Sequence, residues 1–126
     1  MPQTQRQRIG KWGEETAARY LEQHGYEILA RNVRTAYGEI DLIARQAGGE
    51  LVFVEVKTRT NTSFGYPEEA VDSRKLAHMV SSAQAYLLDC PFHFEEHWRI
   101  DVVSVMGAPG ENEADVRFEH FENISS

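Results

Sequence analysis

Apolar positions recur along this chain with two different periods. Between Gly10 and His24, Trp12, Ala17, Ala18, Tyr20 and Leu21 keep helical spacing, and Gly25 follows where a left-handed residue would end a helix. Tyr26 to Arg34 is extended in character, with Tyr26, Ile28 and Val33 interrupted by Arg31 and Asn32. After Gly38, residues 39–45 read as a strand. Gly48 and Gly49 mark a turn, and residues 51–59 (LVFVEVKTR) form the strongest strand, rich in β-branched residues. A polar loop over residues 60–66 leads to Pro67, a good residue to open a helix that Val71, Leu76, Met79, Val80, Ala83, Tyr86 and Leu87 carry to Leu88. A connector from Pro91 to Trp98, a strand at 99–105, a loop at 107–113 and a last strand at 116–121 complete the order α-β-β-β-α-β-β. The pattern predicts an α/β domain with a mixed central sheet flanked by helices over residues 10–122. A flexible arm is expected at 1–9 and a short tail at 123–126.

The strand at 51–59 departs from a simple buried strand. Alternate residues share a face, so Val52, Val54 and Val56 point one way, while Glu55, Lys57 and Arg59 point the other, continuing the side of Leu51 and Phe53. Glu39 and Asp41 likewise alternate with Ile40 and Leu42 on the preceding strand. Paired strands would gather Glu39, Asp41, Glu55 and Lys57 into one patch. Clustered carboxylates repel each other unless a divalent cation neutralises them, and hard oxygen donors suit Mg²⁺ or Mn²⁺ better than zinc. Register decides whether the patch forms. A two-residue Gly48-Gly49 turn would put Asp41 opposite Val56; a three-residue Ala47-Gly48-Gly49 loop puts Asp41 opposite Glu55 and Glu39 opposite Lys57.

Charge sharpens the picture. The chain has 126 residues and a net charge of −7, which argues against a general nucleic-acid binder. The charge is unevenly spread: residues 1–60 hold nine Lys and Arg against eight Asp and Glu, and residues 61–126 hold four against twelve. A polyanion should approach the face built by the first half. No apolar run is long enough to span a bilayer, the polar start lacks the apolar stretch of a secretory signal, and the single Cys90 has no disulfide partner, so a cytoplasmic location is expected. Other candidates weigh less. His93 and His97 lie four apart beside Pro91, where a helix is not expected, Phe64 and Tyr66 could stack on bases, and Arg99 with Asp101 reads as a buried ion pair.

Asp41 followed by Glu55-Val56-Lys57 resembles the PD-(D/E)xK nuclease signature, with Ile40 at the proline position. More closely, GEETAARYL from Gly13, Gly25-Tyr26, Asn32, GEIDLIA from Gly38, FVEVKTR from Phe53 and RIDVV from Arg99 resemble the YraN family, small bacterial proteins predicted to be endonucleases and similar to archaeal Holliday-junction resolvases. The resemblance covers roughly residues 10–106. It implies a restriction-endonuclease-like core and metal-assisted hydrolysis of phosphodiester bonds in DNA, branched or structured DNA included. Asp41 and Glu55 would hold Mg²⁺ (Mn²⁺ as alternative) with the Val56 backbone carbonyl as third ligand. Lys57 would orient or deprotonate water, and Glu14 would add an acidic group from the first helix. Arg59, Lys11 and Arg34 are candidate DNA contacts. Cleavage of a four-way junction would call for a homodimer. The rival expectation is a non-catalytic nucleic-acid- or protein-binding module that retains the fold.

Overall fold

The computed structural model describes residues 3–60, 72–90 and 97–124. The first helix, α1 (Gln5–Gln23), begins five residues earlier than its apolar pattern suggests. Thr4 accepts from the Gln7 backbone and the Gln7 side chain accepts from the Thr4 N–H, a reciprocal cap that satisfies free helix-end donors. The segment expected as a flexible arm is therefore helical from Gln5. Gly25, at φ +89, then turns the chain into β1 (Tyr26–Thr35), followed by β2 (Gly38–Gln46) and β3 (Leu51–Arg59). Helix α2 (Ser73–Asp89) opens on Asp72, whose carboxylate accepts from the Lys75 N–H at 2.8 Å. The helix start expected at Pro67 lies outside the described residues, as do Phe64, Tyr66 and His93. The chain closes with β4 (Trp98–Met106) and β5 (Arg117–Phe121).

The α-β-β-β-α-β-β order expected of a restriction-endonuclease-like α/β domain is the order found. The five strands of the described residues lie in one mixed sheet in chain order, with β1, β2 and β3 antiparallel, β4 parallel to β3, and β5 antiparallel to β4. Both faces are covered. On one, α1 packs Ala17, Ala18 and Leu21 onto Leu42, Ala44, Val52, Val54, Val103 and Val105. On the other, α2 packs Ala83 and Leu87 onto Ile43, Leu51, Phe53 and Ile100. This explains why β3 opens with four consecutive apolar residues: a strand buried on both faces loses its alternation.

Helix α1 sits so close to β3 that a methyl group on Gly13 would collide with the Thr58 side chain, its Cβ only 2.9 Å from the Thr58 Cβ. Glycine inside a helix costs backbone entropy, and here it lets the helix backbone touch the strand. Arg99 and Asp101 form the buried ion pair expected of them, at 3.0 Å, joined by Tyr26 and His120. Asn123 donates its backbone N–H to Asp101 at 2.9 Å, and the Ile124 N–H bonds the Ile100 carbonyl at 2.8 Å. The expected tail is thus tied down through residue 124.

Candidate metal and acid site

The β2–β3 pairing sets the register on which the site depends. Leu42 lies opposite Val54 and Arg45 opposite Leu51, the odd-loop register that aligns Asp41 with Glu55. Gly48, at φ +67, and a 2.8 Å bond from the Gly49 N–H to the Gln46 carbonyl close the loop. Beyond the Leu42–Val54 pair the backbone ladder gives way to a side chain: the Val56 N–H donates to Asp41 Oδ2 at 2.8 Å. The opening between the two strands admits groups from both helices.

Glu14, Glu39 and Asp41 each place a carboxylate oxygen within 4.8 Å of the others. Glu14 comes from α1, one residue after the close Gly13–Thr58 approach. Asn32 of β1 adopts a left-handed conformation, φ 51, and its amide donates to Glu14 at 2.9 Å and Glu39 at 3.1 Å. Asparagine tolerates that backbone better than most residues, and the unusual geometry lies beside the acidic cluster. On the other side of Asp41, Glu55 is largely buried, its side chain 12% exposed, and one of its oxygens meets Lys57 at 3.1 Å and Lys75 at 3.0 Å.

The electrostatics follow from crowding. Burial, then the facing charge of Glu55, pushes the Asp41 carboxyl up to about 8. Burial and the neighbouring Glu39 raise Glu14 as well. Lys57 is lowered, first by burial and then by its contact with Lys75. Burial also opposes the charge on Lys75, but its contacts with Lys57 and Glu55 outweigh this and raise it. The more enclosed lysine is therefore the one that gives up its proton more readily. The donor chemistry, three convergent carboxyl groups whose ionisation burial and mutual repulsion oppose, fits a hard divalent cation. Glu14 and Asp41 are part of that set. Glu55 stands next to it, and the Val56 carbonyl lies on the strand edge whose N–H already faces Asp41.

Glu14, Asp41, Glu55 and Lys57 are thus brought together. The strand pattern paired Glu39 with Lys57. In the structure Glu39 turns to Glu14, Asn32 and Arg34 instead, the last at 3.7 Å. Lys75 and Asn32 join the site without any strand or helix spacing that marks them as site residues. Lys75 sits on a helix remote in the chain, and only packing brings it to Glu55. Of the candidate DNA contacts, Arg34 is a solvated side chain, 90% exposed, beside the acidic group, and Lys11 is exposed on α1. Arg59 lies further along β3, where it lines a cavity together with Arg6 and Ile9 of α1, and its buried Nε has no hydrogen-bond partner among the described residues.

The family described as "Uncharacterised protein family UPF0102" matches residues 13–105, a span that contains α1 from Gly13 and the acid cluster. The chain belongs to the UPF0102 family, the YraN family whose motifs its sequence carries. UPF0102 proteins of Syntrophomonas wolfei and Roseiflexus castenholzii are 48% and 44% identical to it over 104 and 115 residues. These alignments cover 82% and 91% of this chain, and 89% and 90% of the relatives. A UPF0102 protein of Beutenbergia cavernae is 49% identical over 98 residues, 78% of this chain and 81% of its own. Among solved structures, Pyrococcus furiosus SfsA in complex with Ca²⁺ aligns over 90% of this chain and 62% of its own length, with a TM-score of 0.37 and 14% identity. That likeness is too distant to bear on activity. Among the described residues no helix is long and apolar enough to cross a membrane.

Proposed function

We propose that this UPF0102 protein is a metal-dependent endonuclease that hydrolyses phosphodiester bonds in DNA, with branched or otherwise non-duplex DNA as its substrate. The observation that carries the reading is the convergence of Glu14, Glu39 and Asp41 within 4.8 Å at a strand opening flanked by Glu55 and Lys57. Glu14, Asp41 and Glu55 would hold Mg²⁺ or Mn²⁺, with Glu39 and the Val56 carbonyl completing the oxygen set. The cation would polarise the scissile phosphate and make a bound water more acidic.

The protein's own groups do the rest. Lys57, in the neutral amine form that burial and Lys75 make easier to reach, accepts a proton from the attacking water, or as an ammonium holds that water in line. The water oxygen forms the new bond to phosphorus as one ester P–O bond breaks, and the departing oxygen takes up a proton from solvent. Lys75 keeps the Glu55 carboxylate turned toward the site and adds positive charge near the developing phosphorane. Two matched cuts in a four-way junction would require a second copy of the chain, whose presence sedimentation of a junction complex reports.

The test is a panel of four-way, flapped, single-stranded and duplex DNA, with RNA controls, incubated with Mg²⁺ or Mn²⁺. Cleavage of a DNA substrate that disappears in Glu55→Gln is the expected result. No metal-dependent cleavage on any substrate, or wild-type cleavage by Glu55→Gln, would sink the reading and leave a binding module with a nuclease-like site.

A further inference from the structure

We infer that the cleft between the β2–β3 opening and α2 receives one unpaired nucleobase of a DNA strand, beside the phosphate to be cut. This deepens the nuclease reading and rests on it. The cleft encloses about 510 Å³, within the range of small-molecule pockets. Its floor is apolar, made by Ile40, Phe53 and Met79, and Asp41 and Glu55 form the wall it shares with the acid site. Arg74, Lys75 and His78, on the first turns of α2, line the opposite side.

Tyr37 stands at the rim, 57% exposed although it is one of the largest side chains on the surface. Its turn is pinned: the Tyr37 N–H donates to Thr35 Oγ1 at 3.1 Å, and that hydroxyl contacts Gly38 O at 2.9 Å and Ser82 Oγ at 3.0 Å. The pinned backbone keeps the Tyr37 ring at the rim, where its exposed face is open to stacking.

The chemistry of the cleft selects its occupant. A phosphate seated in the cleft itself, away from the cation, would face the four carboxylates of Glu39, Asp41, Glu55 and Asp72 against two cations, Arg74 and Lys75, of which Lys75 is already paired with Glu55. A neutral planar base meets an apolar floor and an aromatic rim for its faces, and Arg74 and His78 for its polar edge. A paired base cannot reach the cleft while it stays in the stack. An unpaired one can rotate out of the strand whose phosphate lies at the carboxylates, at a much smaller energetic cost.

The experiment uses the full chain in EDTA, so that no strand is cut, with duplexes carrying 2-aminopurine either as a one-nucleotide bulge or fully paired. The bulged duplex should bind about tenfold more tightly, the scale of one base–aromatic stack, and its 2-aminopurine fluorescence should change on binding. Tyr37→Ala, a surface change that leaves the core intact, should abolish both effects. Met79→Arg, which fills the cleft, should do the same. Equal affinity for bulged and paired duplexes, or a bulge preference that Tyr37→Ala retains, overturns the inference. Parallel cleavage assays in Mg²⁺ separate the two claims. Cleavage without any bulge preference removes the base site and keeps the nuclease; bulge preference without cleavage supports the base site and removes the nuclease; neither binding nor cleavage removes both.

Discussion

Replacing Asp41 by asparagine should make the metal-free protein more stable, which is the reverse of the usual effect of changing an enclosed polar residue. The Asp41 carboxyl ionises near 3.8 in an unfolded chain and is pushed up to about 8 in the folded one, by burial first and by Glu55 next. An acid whose folded value is raised binds more protons in the native state. Stability is therefore complete below about pH 4, falls as pH rises, and levels off above about pH 8. At pH 7, about 3 pH units above the unfolded value, a cost of about 1.4 kcal/mol per pH unit sets a ceiling near 4 kcal/mol. Solvent still reaches the opening, which brings the expected figure down to about 1–2 kcal/mol. Asparagine carries no charge and can still accept the Val56 N–H. Urea unfolding followed by tryptophan fluorescence, in EDTA at pH 4, 7 and 8, measures the difference. Asp41→Asn should gain about 1–2 kcal/mol at pH 7 to 8 and little at pH 4, and Mg²⁺ should stabilise the wild type more than the variant. A variant that is no more stable at pH 8, or a difference independent of pH, would refute the claim that Asp41 is uncompensated in the protein alone.

Three further outcomes can be checked. Gly13→Ala should cost about 1–2 kcal/mol in thermal or urea unfolding, because crowding against Thr58 at about 2–3 kcal/mol exceeds the roughly 1 kcal/mol gain in helix propensity; adding Thr58→Gly should recover part of the loss. Asp101→Asn should destabilise by about 3 kcal/mol at neutral pH, because Arg99 keeps its buried charge without an anionic partner. Burial opposes ionisation of Asp101, but hydrogen bonds from His120, Arg99 and Asn123 outweigh it and lower the carboxyl, so its contribution is full above about pH 4 and fades as pH drops through the depressed value; denaturation curves between pH 2 and pH 5 should converge for the two proteins. Lys75→Met should slow DNA cleavage by roughly 10-fold or more, the scale of one lost hydrogen bond to a charged group, while far-ultraviolet circular dichroism stays unchanged.

Much of the fold was legible because its signals are local. Trp12, Ala17, Ala18 and Leu21 carry the period of α1, and β-branched residues announce β3. The Thr4-x-x-Gln7 cap is equally local but leaves no trace in apolar spacing, because the first turns of α1 carry few apolar side chains. The tail escaped for a different reason. Asn123 and Ile124 are held by Asp101 and Ile100, partners more than twenty residues away that no nearby pattern reveals.

The candidate site divides the same way. Glu55 and Lys57 were legible because strand alternation assigns faces, and charge following four buried residues on β3 is costly without a compensating purpose. Asp41 was legible from the register opposite Glu55, although the alternation expected on β2 breaks there, with Leu42 packed on the α1 side and Ile40 on the α2 side. Glu14 needed the family resemblance, since a glutamate on an amphipathic helix is usually a solvated charge. Lys75, the turn of Glu39 toward Glu14, and the amide of Asn32 depended on tertiary structure alone. Sequence determines which residues share a face, because the periods of helix and strand are properties of the backbone. Only the packing of α1 and α2 across an opened β2–β3 pair decides which faces meet, because that choice is made by side-chain volumes and close approaches between segments far apart in the chain.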